Sequence, residues 1–198
     1  MTTDVGPTGG QPQHIEHDHG TRNTYLRFAA MIWTGMVVMY AAMYVATYQW
    51  DHVRFSESRV FMAMTMGGAM GLVMLAWMRQ MYTSPRGNVA VVVVSTLLLG
   101  GGIYLDRSQV TVQDTGWMSS MIPHHSLAIT RSERAGISDV RVCRLAASIS
   151  EAQRREIAEM DWLIADIRRN GLATTPEEAE GRPVPDFAAA AERQCSEG

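Results

Sequence analysis

Three long stretches without a single charged residue limit what this chain can fold into. They cover residues 28–48, 60–78 and 89–105. A helix needs about 20 mostly apolar residues to cross the hydrocarbon of a bilayer, so the first two are long enough and the third is near the lower limit. Most of the charge lies after residue 105. The sequence therefore predicts an all-α protein with a three-helix transmembrane region at 25–106 in a lipid bilayer, followed by a water-facing part.

The polar segment before the first stretch, residues 1–24, is rich in Gly, Pro, Thr and Gln and is predicted to be disordered. It contains His14, His17 and His19 in the run HIEHDHG. Such a run is either a loose metal-binding tract or a polar tail with incidental histidines.

The second apolar stretch contains two periodic patterns. Ala63, Gly67 and Gly71 recur every four residues, a spacing of small residues that lets helices approach closely in lipid. A methionine ladder with the same spacing occupies a neighbouring face and comprises Met62, Met66, Met70, Met74 and Met78. The ladder is interpreted either as packing or as a path for a soft metal ion.

The arginines next to the spans indicate the orientation, because short cytoplasmic loops carry an excess of positive charge. Four arginines flank one side and three the other; they are Arg22, Arg27, Arg79 and Arg86 against Arg54, Arg59 and Arg107. This bias predicts a multi-pass protein of the bacterial inner membrane, with the N-terminus cytoplasmic and the C-terminal domain periplasmic.

The segment 107–171 is predicted to form a helical hairpin, with helices at about 114–135 and 138–169. Asp114 and Ser138 are the expected N-caps, and Gly136 and Gly171 the expected stops. Residues 172–198 are predicted to be mostly disordered, with a short helix near 187–193. Two helices cannot enclose a core by themselves. The hairpin is therefore expected to self-associate or to pack on the membrane helices or a partner protein.

The first helix of this hairpin carries an unusual set of side chains in WMSSMIPHHSLAITRSERA, residues 117–135. Met118, Met121 and His125 share one helical face, and His124 borders it. Pro123 removes a helix hydrogen bond, so a kink is expected at the histidine pair.

The second helix places polar side chains on its own packing face. Gln153 and Glu156 continue the apolar stripe that includes Met160, and burying them is costly unless they find partners. The histidines and methionines of the first helix are the expected partners. Thioether sulfur selects Cu(I), and imidazole suits copper, whereas structural zinc sites rarely use Met. Two alternatives stay open: core packing of these side chains, or a buried hydrogen-bond network in a structural or assembly protein.

Other function classes find little support in the sequence. There is no nucleophile with a placed base, no phosphate-binding loop and no Glu-x-x-His pair for a di-iron centre, so the chain is not expected to be an enzyme. The net charge of −3 argues against a nucleic-acid partner. Cys143 and Cys195 could form one disulfide or remain two free thiols.

The segments MIPHHSLAI and AQRREIAEM resemble the domain of unknown function 305 family (DUF305), over about residues 112–170. The resemblance implies a ferritin-like helical hairpin in the membrane-anchored branch of the family, a periplasmic location and copper handling. Many members have a methionine about five residues after the second histidine, where this chain has Thr130 and Arg131. By motif position the implied metal-site residues are Met121, His124, His125, Gln153, Glu156 and Met160.

Overall fold

The computed structural model describes residues 14–195, with side chains from residue 21 onward, and every regular element in that range is helical. In chain order these are α1 (His14–Ala42), a 3-10 turn (Trp50–His52), α2 (Glu57–Trp77), α3 (Pro85–Ser108), α4 (Asp114–Arg134), α5 (Val140–Asn170) and the short α6 (Pro176–Glu180).

Three of these helices contain segments that are long and apolar enough to cross a membrane: Thr21–Ala42, Glu57–Trp77 and Pro85–Ser108. Side-chain caps fix where the second and third begin. Ser56 accepts a hydrogen bond from the Arg59 N–H, and Ser84 accepts one from the Gly87 N–H, which satisfies backbone donors that a helix start leaves free. The three predicted spans are therefore present as helices.

The first helix differs from its prediction at both ends. It begins at His14 rather than near residue 25, so the disorder expected for residues 1–24 does not hold from His14 onward. Residues 1–13, and the side chains of His14, His17 and His19, lie outside the described part. The helix ends at Ala42 instead of running to residue 48, and the Tyr44 hydroxyl then donates to the Arg54 carbonyl at 2.7 Å. Residues 43–56 consequently form a structured α1–α2 loop.

Glycines bring the three long helices into close contact. A Cβ atom at Gly68 would lie 2.5 Å from backbone atoms of α3, and one at Gly67 would overlap the Met36 side chain of α1. The predicted small-residue stripe is buried at Ala63, Gly67 and Gly71. It thus serves two neighbours, with Gly68 adding a contact to α3 that the four-residue pattern did not include.

Helices α4 and α5 pack side by side and run in opposite directions. Cross-contacts between His125 and Glu156, and between Glu133 and Ser150, set their alignment. Their shared core contains six buried side chains: Met118, Ile122, Ile129, Ile157, Met160 and Ile164. The helix ends lie within one residue of their predicted positions, except that α5 begins two residues later and Asp139 replaces Ser138 as its N-cap.

The C-terminal strap, residues 172–195, follows α5 back along the helix pair. Arg182 pairs with Asp166 at 2.7 Å, and Arg193 donates to the Ser132, Glu133 and Ala135 carbonyls at the end of α4. A disulfide joins Cys143 to Cys195. These contacts replace the disorder predicted for residues 172–198, of which 196–198 lie outside the described part. The strap's one helix is α6, and none forms at 187–193.

The α1–α2 loop covers another side of the helix pair. The Tyr48 N–H donates to Ser126 Oγ at 2.7 Å, and Arg54 pairs with Asp161 at 2.9 Å. The Tyr48 ring packs against the α4–α5 core, and its hydroxyl donates to Glu192 of the strap. Two helices are too few to enclose a core, and here the loop and the strap supply the missing cover.

Candidate metal centre

The side chain of His125 lies between α4 and α5 with only 13% of its surface exposed. Its Nδ1 atom is 3.1 Å from Glu156 Oε2. That approach does not have the geometry of a hydrogen bond, so Nδ1 is a buried polar atom without a hydrogen-bond partner among the described residues. Gln153 donates to the same carboxylate oxygen at 3.3 Å. Buried polar atoms are nearly always satisfied, so an orphaned imidazole nitrogen is a ligand candidate.

Methionine side chains belong to the same α4–α5 interface as this imidazole. Met118 and Met160 are 5% and 6% exposed, and Met121 packs against the same cluster. Met121 is one turn before His125 on α4, and Met160 is one turn after Glu156 on α5. Because the helices run in opposite directions, both steps lead toward the same end of the pair. The structure therefore brings Met121, His125, Glu156 and Met160 onto adjacent levels of one interface.

His124 does not join this group. Successive residues of an α-helix point about 100° apart, so two adjacent histidines cannot both face α5. The His124 side chain is exposed, and its ring centre is 6.2 Å from that of His125. Of the predicted site residues, His124 is turned to the surface, and the Glu156 side chain, at the edge of the interface, is 42% exposed.

Burial lowers the pKa of His125, with His124 acting in the same direction and Glu156 opposing it. The folded protein therefore favours the neutral imidazole, which is the form that binds a metal ion. A neutral His125 imidazole, together with methionine thioethers, would suit a soft metal ion.

Thr130 and Arg131 stand in the stretch where the sequence resemblance implies a methionine, and the threonine is committed to the helix backbone. The Thr130 hydroxyl donates to the Ser126 carbonyl at 3.2 Å, and Arg131 is exposed. Neither residue supplies a soft ligand, so the donor set on α4 is reduced to Met118, Met121 and His125.

No group of three or more His, Cys, Asp or Glu side chains within the described range is placed to hold a metal ion. Methionine sulfur is not one of those donor types, and Met118, Met121 and Met160 all lie in or against the α4–α5 core.

A second histidine, His52, was not singled out from the sequence. Its Nδ1 lies 2.8 Å from Ser126 Oγ, which is fully buried. Since Oγ already accepts from the Tyr48 N–H, the serine proton is free to point at His52 Nδ1. Burial lowers the pKa of His52. The pair joins residues 74 positions apart, and no sequence period signals such a contact.

Two charged side chains, Glu133 of α4 and Arg154 of α5, are largely covered. The Glu133 side chain is 6% exposed, accepts from Ser150 and from the Glu192 N–H, and lies 3.6 Å from Arg154. Burial alone would raise the pKa of Glu133, but these donors and Arg154 bring it below its usual value. The strap provides several of these partners, so a prediction that left the strap disordered could not find them.

Comparison with known proteins gives one matching family model and one similar protein. The model of the domain of unknown function DUF305 matches residues 105–194. The chain is similar to the uncharacterized protein L153 of Acanthamoeba polyphaga mimivirus, with 30% identity over 102 residues that cover 48% of this chain and 67% of the relative. No solved structure matches the chain.

Proposed function

This chain belongs to the domain of unknown function 305 family, and from the geometry of its α4–α5 helix pair we propose that it is a membrane-anchored copper-binding protein. The helix pair takes up Cu(I) and passes it on, and α1 to α3 anchor the pair at the bilayer. The family description assigns no activity, so the proposal stands on the residues of this chain.

The observation that carries the proposal is the unpartnered Nδ1 of His125. It lies beside Glu156 and at the level of two methionines, in a core where a bare nitrogen is unfavourable. A Cu(I) ion, as cargo, would be bound by the imidazole and by the thioethers of Met121 and Met160. The Glu156 carboxylate, 3.1 Å from Nδ1, balances the charge of the ion, and Gln153 donates a hydrogen bond to that carboxylate.

The absence of a methionine at Thr130-Arg131 suits transfer better than storage. With fewer sulfur donors on α4 the ion is held less tightly, and it can leave for a carrier with more thiolate or thioether ligands. Met118 lies deeper in the core than the other donors and acts as packing for the site.

We place the helix pair on the periplasmic side of a bacterial inner membrane. The arginine distribution favours a cytoplasmic N-terminus, and three spans then put α4 and α5 on the opposite side. The disulfide between Cys143 and Cys195 supports this, because such bonds persist in oxidising compartments.

The test is a Cu(I) competition titration of the full chain in detergent, with a chromogenic chelator as competitor. His125→Ala is compared with His124→Ala, which removes the neighbouring ring from the surface. We expect His125→Ala to weaken Cu(I) binding by about tenfold or more, and His124→Ala to leave it nearly unchanged. Equal affinities for both variants and the wild type would sink the helix-pair site.

A second candidate function, self-association through α5, is favoured by one specific surface. Val142, Leu145 and Ile149 recur on one face of that helix and are 48%, 58% and 38% exposed. Helical periodicity puts them on the apolar stripe of α5 together with Ala146. Ala146 does face the core, but these three do not, and Cys143 and Ser150 are buried beside it. An exposed apolar stripe of this kind indicates an interface, here with a second copy of the chain.

The oligomeric state of the full chain in detergent tests this alternative. Sedimentation or light scattering should show a dimer that Leu145→Arg converts to a monomer. A wild-type monomer would rule out self-association through this face.

A further inference from the structure

A cavity of about 300 Å³ between the three long helices is lined by an unusual number of methionines. We call it the methionine cavity. Met39 and Met43 come from the end of α1 and the turn after it, and Met62 and Met66 come from α2. Half of its eight lining residues are therefore thioethers. Asp106 and Arg107 of α3 also line it, near the end of the span that leads to α4.

A second cavity in the same helices provides an internal comparison. It is of similar size, about 280 Å³, and lies toward the other end of the bundle, between residues 28–36 of α1 and 90–98 of α3. Among its ten lining residues Met36 is the single methionine, and the rest are mostly aliphatic or aromatic. The methionine cavity, at the end that faces the helix pair, is therefore the richer of the two in thioethers.

The methionines of α2 differ in how they pack. Met62 and Met66 are 42% and 50% exposed, and neither belongs to a buried cluster of the described part. In contrast, Met36, Met70, Met74 and Met78 pack against the core formed by Phe28, Ile32, Leu75 and Tyr82. The predicted methionine ladder thus divides into residues that pack and residues that line a cavity.

We propose that the methionine cavity is a second binding site, specific for a soft monovalent ion, Cu(I). Thioethers bind Cu(I) without losing a proton and bind hard cations poorly. A neutral sulfur set is compatible with the apolar surroundings of a membrane, where each additional charge is costly. Asp106 and Arg107 bring opposite charges to the same lining, so the thioethers, and not a net negative charge, would hold the ion.

This inference extends the proposed copper function to the membrane helices but shares no residue with the helix-pair site. Either site can therefore fail without the other. The competing occupant of the cavity is a lipid acyl chain, which would fill it without using the sulfurs.

The experiment measures how many equivalents of Cu(I) the full chain binds in lipid nanodiscs, under anaerobic and reducing conditions. The cavity variant carries Met39→Leu, Met43→Leu, Met62→Leu and Met66→Leu, changes that keep side-chain volume. The matched control carries Met31→Leu, Met64→Leu, Met74→Leu and Met78→Leu, none of which lines the cavity. Circular dichroism and gel filtration check that each variant keeps its helices and its size.

We expect two equivalents for the wild type and for the matched control, and one for the cavity variant. His125→Ala should retain one equivalent, with X-ray absorption showing a sulfur-rich shell that contains no histidine. If the cavity variant binds as many equivalents of Cu(I) as the wild type, the second site is overturned. The same holds if the second equivalent binds to the protein in detergent micelles but not in nanodiscs. A single equivalent that is lost in the cavity variant and kept by His125→Ala would support the cavity and contradict the helix-pair site.

Discussion

At the scale of single residues, burial keeps two imidazoles of the water-facing part uncharged. His125 lies between α4 and α5, and His52 reaches from the α1–α2 loop to Ser126. The pKa of each is lowered chiefly by desolvation. Asp161 and Asp51 pull the pKa of His52 upward, Arg54 and Arg154 push it down, and burial has the largest effect. Protonation of either ring therefore works against the folded state.

His52 should make the stability of the protein depend on pH. Its folded pKa lies below the ordinary value of 6.5, so its contribution is fully present above that value and is lost as pH falls through the folded pKa. In His52→Gln the side chain keeps a polar group at Ser126 but cannot gain a proton. Thermal unfolding at several pH values should therefore show a shallower decrease for His52→Gln than for the wild type.

His125 has the same sign, so the variant should retain part of the pH dependence. Parallel profiles for the variant and the wild type would mean that His52 is not held in its neutral form by the fold.

Only part of the site can be predicted from residue spacing. The three- and four-residue steps that join Met118, Met121 and His125, and those that join Gln153, Glu156 and Met160, follow from helix geometry alone. The separation of His124 from His125 follows from the same geometry, yet an adjacent pair is easily interpreted as one unit. The His52–Ser126 contact depends on where a loop docks, which no local period encodes.

At the scale of helices and their contacts, α2 and α3 pack with backbone against backbone. Gly68 lies against the backbone near Leu99, with no room for a Cβ atom. Gly100, on α3 itself, has open space around the same position. Substituting each of the two glycines therefore distinguishes the cost of disturbing a close helix contact from the general effect of replacing glycine in a helix.

Gly68→Ala should lower the melting temperature of the full chain in detergent. Overpacking at such a contact costs about 1–3 kcal/mol. Gly100→Ala should leave the melting temperature unchanged or raise it, since alanine is favoured over glycine in a helix by up to about 1 kcal/mol. Equal effects of the two substitutions would show that α2 and α3 are not packed this closely.

The positions of the helices could be predicted because hydropathy and capping residues depend only on the neighbouring sequence. Uncharged stretches identified α1 to α3, and the periodicity of α4 and α5 placed their ends within a few residues. The end of α1 was wrong by six residues, since residues 43–48 are as apolar as a span. They leave the helix because Tyr44 and Tyr48 make hydrogen bonds with Arg54 and Ser126, which lie far along the chain.

At the scale of the whole molecule, two segments cover the helix pair, the α1–α2 loop and the strap. The disulfide ties the end of the strap to α5. The sequence predicted that two helices need cover but not which segment supplies it. It left the pairing of Cys143 and Cys195 open, because two cysteines permit a bond without requiring it. The strap was missed since its composition is that of a disordered tail, and its order comes from Arg182, Arg193 and Cys195 finding partners on α4 and α5.

Removing the disulfide should destabilise the helix pair selectively. The bond joins residues 52 positions apart, and the loss of that constraint on the unfolded chain is worth about 4 kcal/mol at most. Cys143→Ser combined with Cys195→Ser should lower the unfolding temperature of the helix pair, and reducing the wild type should have the same effect. The double variant should not respond to reductant.

Hydrogen exchange can locate the effect. Faster exchange is expected in the strap and at the end of α4, where Arg193 donates to three carbonyls, with little change in α2 and α3. Equal exchange rates of the strap in the oxidised wild type and in the double variant would mean that the strap is held without the disulfide.

The same covalent link changes what a protease can accomplish. A cut in the exposed part of the strap, for example near Leu172 or Val184, breaks the backbone but releases no fragment, because Cys195 still ties the downstream piece to α5. The nicked protein would migrate as one species until it is reduced, and only then separate into two. A chain that has been damaged in this way would keep its helix pair covered for as long as its surroundings stay oxidising.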